Sequence, residues 1–197
     1  MSFTDNFGHP KGILGRIMLV SMDREHLPMA KWAFEQIRFP QSGTIADIGC
    51  GGGYNIRRML TMSKNSNFAG LDISQESVRK ANKINKEELG KRVQIILVSA
   101  EKLPFKDGSI SLVTAFETVF FWKEIGKCFG EILRVLKAGG EFAVINNYGG
   151  PEADWEKKVP CMTRYTAEQI SELMAKAGFS RITSNKKDNL FLVIGKK

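Results

Sequence analysis

The run Ile45-Ala46-Asp47-Ile48-Gly49-Cys50-Gly51-Gly52-Gly53, with Gly70-Leu71-Asp72 further along, decides the fold. Ile45, Ala46 and Ile48 read as the end of a buried strand and the glycines as a turn. Ile56, Met59 and Leu60 read as the inner face of the helix that follows. Glycine serves where a backbone turns sharply and a ligand approaches with no Cβ in the way. Strand, glycine turn and helix together make the layout of a Rossmann-type nucleotide-binding loop.

A dinucleotide fingerprint requires glycine at its first, third and sixth positions. Counted from Gly49 the sixth position is Tyr54, so the fingerprint fails in its last term. Asp47 stands just before the turn, where a carboxylate repels a pyrophosphate but can hold the ammonium of a methionyl group, directly or through water. The charge therefore favours the sulfonium cofactor S-adenosylmethionine over a dinucleotide. Asp72 closes a second expected strand, Phe68 to Leu71, where a carboxylate accepts hydrogen bonds from ribose hydroxyls.

The run from Ile45 to Asn146 resembles a class I S-adenosylmethionine-dependent methyltransferase of the small-molecule, UbiE-like type (methyltransferase domain 11/25). Four blocks carry the resemblance, in the family's order: Asp47 to Gly53; Gly70-Leu71-Asp72-Ile73-Ser74; Ser99-Ala100-Glu101-Lys102-Leu103-Pro104-Phe105; and Leu133-Arg134-Val135-Leu136-Lys137-Ala138-Gly139-Gly140. One glycine loop is a weak signal, and four blocks at family spacing are a strong one. The resemblance implies cofactor contacts from Asp47, Gly49, Cys50, Gly51, Gly53, Asp72, Ile73, Ser99, Ala100, Glu101 and Phe116. The glycine loop meets the methionyl part, Asp72 the ribose, Ile73 the adenine face and the Ser99-Ala100-Glu101 turn its edge. Many relatives have an acid where Ser99 stands, which leaves the adenine amine between Glu101 and water. The fold implied is α/β: a Rossmann-like, seven-stranded, mostly parallel sheet with helices on both faces, an antiparallel last strand and an N-terminal helical lid.

The rest of the chain alternates as such a sheet requires. Ala30, Ala33, Phe34 and Ile37 recur at helical spacing, as do Ile125, Cys128, Phe129, Ile132, Leu133 and Leu136. So do Ile170, Leu173, Met174 and Ala177, after Thr166 and Gln169 in a capping box. Strands are expected near Val93 to Val98, Ile110 to Phe116 and Glu141 to Ile145. A terminal hairpin of Arg181 to Thr183 and Leu190 to Ile194 is expected around the turn Ser184 to Asn189.

The 197 residues, 43% of them hydrophobic, suit one domain, with residues 1–40 as lid segment and 41–197 as core. No apolar run long enough to span a bilayer and no leader pattern stands out, so a cytoplasmic location without membrane insertion is expected. Cys50, Cys128 and Cys161 lack metal-ligand spacing and read as reduced thiols; no metal is expected.

Methyl transfer by in-line displacement leaves S-adenosylhomocysteine. It asks the protein for alignment and water exclusion, and for a base only if the acceptor carries a proton. Glu117, among the aromatics of Phe116 to Trp122, can orient substrate or act as base; alternatively, Glu117 contacts the N-terminal segment or a cofactor group and the aromatics are core. Tyr148 and Asn146 to Pro151 can line a pocket or simply make a loop. His9 and His26 are the only histidines, and His9, in a loop-like His9-Pro10-Lys11-Gly12 context, is the better candidate base.

The net charge of +8, from 29 basic and 21 acidic residues, gathers at Arg79, Lys80, Lys83, Lys86 and at Lys186, Lys187, Lys196, Lys197. Solvated faces explain it, and an anionic small-molecule substrate suits it. An apolar substrate suits Ile13 to Met22 acting as a lid. Nucleic acid is disfavoured, because Phe116-Glu117-Thr118 stands where base N-methyltransferases carry an Asn/Asp-Pro-Pro-aromatic motif. An RNA or protein methyltransferase, and a non-catalytic cofactor-binding sensor or interaction protein, remain the alternatives. The acceptor atom (O, N, S or C) and the oligomeric state are not legible.

Overall fold

A computed structural model of the protein describes residues 26–147 and 162–197. Helix α1 (26–34) precedes strand β1 (Ser42–Ile48), α2 (Tyr54–Met62), β2 (Asn65–Asp72), α3 (Gln75–Ile84), β3 (Val93–Leu97) and β4 (Ile110–Phe116). A 3-10 turn (Val119–Phe121) leads to α4 (Ile125–Val135) and β5 (Leu136–Asn147); α5 (Ala167–Ala177), β6 (Ser180–Lys187) and β7 (Leu190–Lys196) follow.

The strands form one seven-stranded sheet in the order β3-β2-β1-β4-β5-β7-β6. Only β7 runs against its neighbours β5 and β6, as expected for the last strand. Sheet growth reverses at β1, with β2 and β3 to one side and β4 onward to the other. The carboxyl ends of β1 and β4 thus flank the switch point, where open α/β sheets leave a crevice.

Period-two alternation divides the core into two faces. Ala46, Ile48, Val113, Ala115, Phe142 and Val144 pack with Phe129 and Ile132 of α4 and Ile170 and Met174 of α5. Ile45, Leu112, Phe116, Ala143 and Ile145 pack with α1 and with Ile56, Met59 and Leu60 of α2. Both faces are covered, so the β4 sequence ISLVTAF is buried at every position.

Residues 1–25 of the expected lid segment lie outside the described residues. Within the remainder, Met29, Ala30, Ala33, Phe34 and Ile37 are core residues, and Phe34 meets Phe116 edge-on at 5.4 Å between ring centroids. Burying a side chain of that size contributes roughly 1.5–3 kcal/mol, so α1 is anchored to the sheet.

Three boundaries differ from expectation. The apolar stripe of α4 ends at Val135, and Leu136 opens β5, pairing with Ile110. Strand β5 runs well beyond Glu141 to Ile145 at both ends because β7 pairs with it from Glu141 to Asn147 and Leu136 pairs before the bulge. The hairpin turn shrinks to residues 188–189, since Asp188 adopts φ 53, a left-handed conformation that aspartate tolerates in tight turns. The capping box on α5 is present: the Gln169 amide donates to Thr166 Oγ1 at 3.3 Å, and the Thr166 amide to Gln169 Oε1 at 2.8 Å. Among the described residues no helix is long and apolar enough to cross a membrane.

Candidate active site

A cavity of about 260 Å³ opens at the carboxyl ends of β1, β2 and β4. Asp47, Gly49, Cys50, Gly51, Asp72, Ile73, Ser99, Ala100, Glu101 and Phe116 all line it, from four separate stretches of chain. Gly53 stands apart from that lining. A Cβ there would lie 2.8 Å from Ala81 Cβ and 2.7 Å from Asn85 Nδ2, so its φ of 75 serves the packing of α2 on α3. His9 and Tyr148 lie outside the described residues.

The glycine turn is held by β2. The amides of Gly49 and Cys50 both donate to Leu71 O, at 2.7 and 3.0 Å. The Gly51 amide donates to Asp72 Oδ2 at 2.9 Å, and the Ser74 amide to Asp72 Oδ1 at 2.8 Å. Two oxygens offer about four acceptor positions, so Asp72 can secure the turn and still accept from a vicinal diol. Gly49 and Gly51 take φ of 72 and 52. At Gly49 a Cβ would also lie 2.1 Å from Thr118 Oγ1, so the residue is required by the fold as well as by any ligand. Ile73, next along, is 54% exposed, a large apolar side chain left half uncovered on the cavity rim.

Asp47 is 2% exposed, and its Oδ1 accepts from Thr114 Oγ1 at 2.7 Å. Burial pushes its pKa up to about 7; the Thr114 bond opposes the shift and the charge of Asp72 adds to it. The carboxylate is therefore poised to ionise when a cation arrives. Burial and the same two acids push the Cys50 thiol up, which keeps it from acting as a nucleophile near neutral pH. Ser99 Oγ accepts from the Glu101 amide at 3.2 Å and shapes that turn, while Glu101 Oε2 lies 3.3 Å from Lys127 Nζ.

Across the cavity stands Glu117, a non-glycine residue at φ 52. Its amide donates to Ile145 O at 2.9 Å, and its Oε1 accepts from the Asn147 amide. Its Oε2 lies 3.9 Å from His26 Nε2 at the start of α1. Burial pushes the carboxyl up to about 8, against the lowering effect of the Asn147 bond. Phe121, Trp122 and Lys123 complete this side.

Thr114, Thr118 and Asn147 were not expected as partners; a contact of Glu117 with the N-terminal segment was, and the structure supplies it through His26. Thr114 was the most accessible to inference, since it pairs with Asp47 across parallel β1 and β4. Asn146 is fully buried, and both polar atoms of its side chain lack a hydrogen-bond partner. The third and fourth sequence blocks meet through Arg134, which donates to Leu103 O at 3.1 Å and Phe105 O at 2.9 Å. Glu131 Oε2 accepts from the Leu103 amide at 2.9 Å, and bonding to Arg134 holds its pKa down at about 2. Much of that block is scaffold.

The methyltransferase domain family model matches residues 46–144 of the chain. An uncharacterized methyltransferase of Bacillus subtilis, YdaC, is 26% identical over 161 residues, covering 82% of this chain and 84% of that protein. The ubiquinone/menaquinone biosynthesis C-methyltransferase UbiE of Geotalea uraniireducens is 29% identical over 140 residues, or 70% of this chain and 58% of that protein. The chain spans a third to three fifths of the length of most of the curated relatives compared with it, and 84% of YdaC. The geranyl diphosphate C-methyltransferase of Streptomyces coelicolor, solved with Mg2+, geranyl diphosphate and S-adenosylhomocysteine, superposes with a TM-score of 0.73. It is 16% identical, over 97% of this chain and 88% of that one, and so attests the fold alone.

Proposed function

Because the chain belongs to the methyltransferase domain family, whose cofactor is S-adenosylmethionine, we propose that it transfers the methyl group of that cofactor to a small-molecule acceptor. One observation carries the reading: two acids at consecutive strand ends, Asp47 and Asp72, face one cavity across a glycine turn. Two carboxylates disfavour a pyrophosphate and suit a ligand with an ammonium at one end and a ribose diol at the other.

The residues present fit that ligand. Asp47 would pair with the ammonium, which favours its charged form. Asp72 would accept from the ribose hydroxyls while its existing bonds to Gly51 and Ser74 keep it in place. The half-uncovered side chain of Ile73 would lie against the adenine, and Ser99, Ala100 and Glu101 would border its edge. Gly49 and Gly51 leave the backbone open to close approach. Bound there, the cofactor supplies a methyl carbon activated by a sulfonium. The chain supplies position and exclusion of water, the aromatic side chains of Phe116, Phe121 and Trp122 walling the acceptor side.

Calorimetric titration with S-adenosylmethionine, S-adenosylhomocysteine and NAD in parallel tests this. Micromolar binding of the first two without NAD supports the cofactor reading, and NAD binding alone overturns it. Transfer of labelled methyl to a metabolite extract and not to RNA supports the small-molecule acceptor. Binding without transfer to any acceptor pool supports the sensor alternative.

A further inference from the structure

We propose that His26 and Glu117 form a proton-accepting pair on the acceptor side of the cavity, and that the acceptor is therefore a hydroxyl. The proposal rests on the methyltransferase reading and adds the acceptor atom to it.

The two groups come from distant parts of the chain, the first turn of α1 and the residue after β4, and both line the cavity. Their side chains are only 31% and 14% exposed. Glu117 is held at φ 52, a left-handed backbone conformation that non-glycine residues rarely adopt. Its Oε1 is engaged by the Asn147 amide, which leaves Oε2 toward His26 Nε2 at 3.9 Å. A strained, anchored carboxylate aimed at an imidazole in a cleft has the arrangement of a base and its orienting group. His26 is the catalytic residue in this scheme, and Glu117 positions it and stabilises the imidazolium that forms.

An imidazole is needed only by some acceptors. Thiols ionise far more readily than alcohols or phenols, and a neutral amine already presents a lone pair. A hydroxyl must surrender its proton as it attacks. The proton passes to the His26 imidazole while an oxygen lone pair forms the bond to the methyl carbon. The carbon–sulfur electron pair returns to sulfur, giving neutral S-adenosylhomocysteine, a methyl ether and an imidazolium, which the Glu117 carboxylate faces once the pH exceeds about 8. The other ionisable groups on the cavity are Asp47 near the end of β1, Cys50 in the turn, Tyr54 at the start of α2, Asp72 at the end of β2, Glu101, Lys123 after the 3-10 turn and Cys128 of α4. Asp47 and Glu117 both carry raised pKa values, near 7 and 8.

The chain has two histidines, so His26 can be followed directly by NMR, with His9→Gln for assignment. We expect the His26 resonances to show a second inflection near pH 8, as Glu117 ionises beside the imidazole, and Glu117→Gln to abolish it with S-adenosylhomocysteine affinity unchanged. An inflection that is missing in the wild type, or that survives Glu117→Gln, overturns the pair. With a panel of phenols as acceptors, His26→Gln should lower kcat at least a hundredfold and leave KM within threefold. With thiophenol, which ionises without help near neutral pH, the loss of kcat in His26→Gln should be at least tenfold smaller than with the phenols. Transfer to thiophenol alone, or to neither probe, overturns the hydroxyl assignment. A wild-type protein that binds no S-adenosylhomocysteine overturns the methyltransferase reading itself, a result separable from the others.

Discussion

The two sides of the cavity are built on different principles. The cofactor side comes mainly from turns at the ends of β1 and β2, adjacent parallel strands: a glycine turn and an acid at a strand end are local signals, and the amide that bonds that acid lies one strand away. The acceptor side draws on the start of α1, the residue after β4 and the end of β5, which meet only when the sheet has assembled. Each side has one carboxylate that burial holds near neutrality, Asp47 at about 7 and Glu117 at about 8. They differ in what answers the charge: a ligand cation is expected at Asp47, and His26 of the protein faces Glu117. On the proposed reading, Asp47 serves binding and Glu117 serves proton handling.

Substitutions on the cofactor side should break that contrast most severely at Gly51→Val. Its φ of 52 is poorly tolerated by a branched residue, and the side chain would stand at the ligand. Cofactor affinity should fall more than a hundredfold by calorimetry, with circular dichroism unchanged. Asp72→Ala should follow with a loss of about tenfold to a hundredfold, some 1.4 kcal/mol per decade. Unchanged affinity there would remove Asp72 from the ribose role.

Asp47→Asn should be milder and dependent on pH. The folded carboxyl sits near 7 against an ordinary 3.8, so ionisation costs the free protein stability as pH rises through that window. The variant should therefore melt above the wild type at pH 8 and together with it below pH 4. Its cofactor affinity should be several-fold lower at pH 8 and nearly equal at pH 5.5. A wild-type affinity that is flat with pH would take the ammonium away from Asp47.

Arg134→Met should leave both sides almost untouched. Its bonds to Glu131, Leu103 and Phe105 are structural, and their loss should cost about 2 kcal/mol, or roughly 4–8 °C in Tm. Glu131 is depressed from 4.5 to about 2, so that contribution is present above pH 4.5 and is lost as pH falls toward 2. Cofactor affinity should stay within twofold. A larger change would mean that the scaffold tunes the site.

The strand-turn-helix unit was legible at Ile45 to Gly53 because glycine, acid and apolar period are local signals, and α2 buries the expected Ile56, Met59 and Leu60. Boundaries were harder. Leu136 fits the helical stripe of α4 equally well, and its pairing with Ile110 across the sheet settled its place in β5. Gly53 carries the same letter as Gly51 in the motif, yet one packs on α3 and the other borders the cavity, a difference of direction that one-dimensional spacing does not encode.

By itself, the order of residues determined the fold class, the seven-strand alternation and the positions of the two acids, Asp47 and Asp72, to which the ligand reading is tied, since each depends on periodicity or on charge within a turn. Only the tertiary structure decided that Thr114 bonds Asp47, that Thr118 closes on Gly49 and that His26 faces Glu117. Those contacts join residues far apart in the chain, and their geometry exists only once parallel strands have fixed which ends come together.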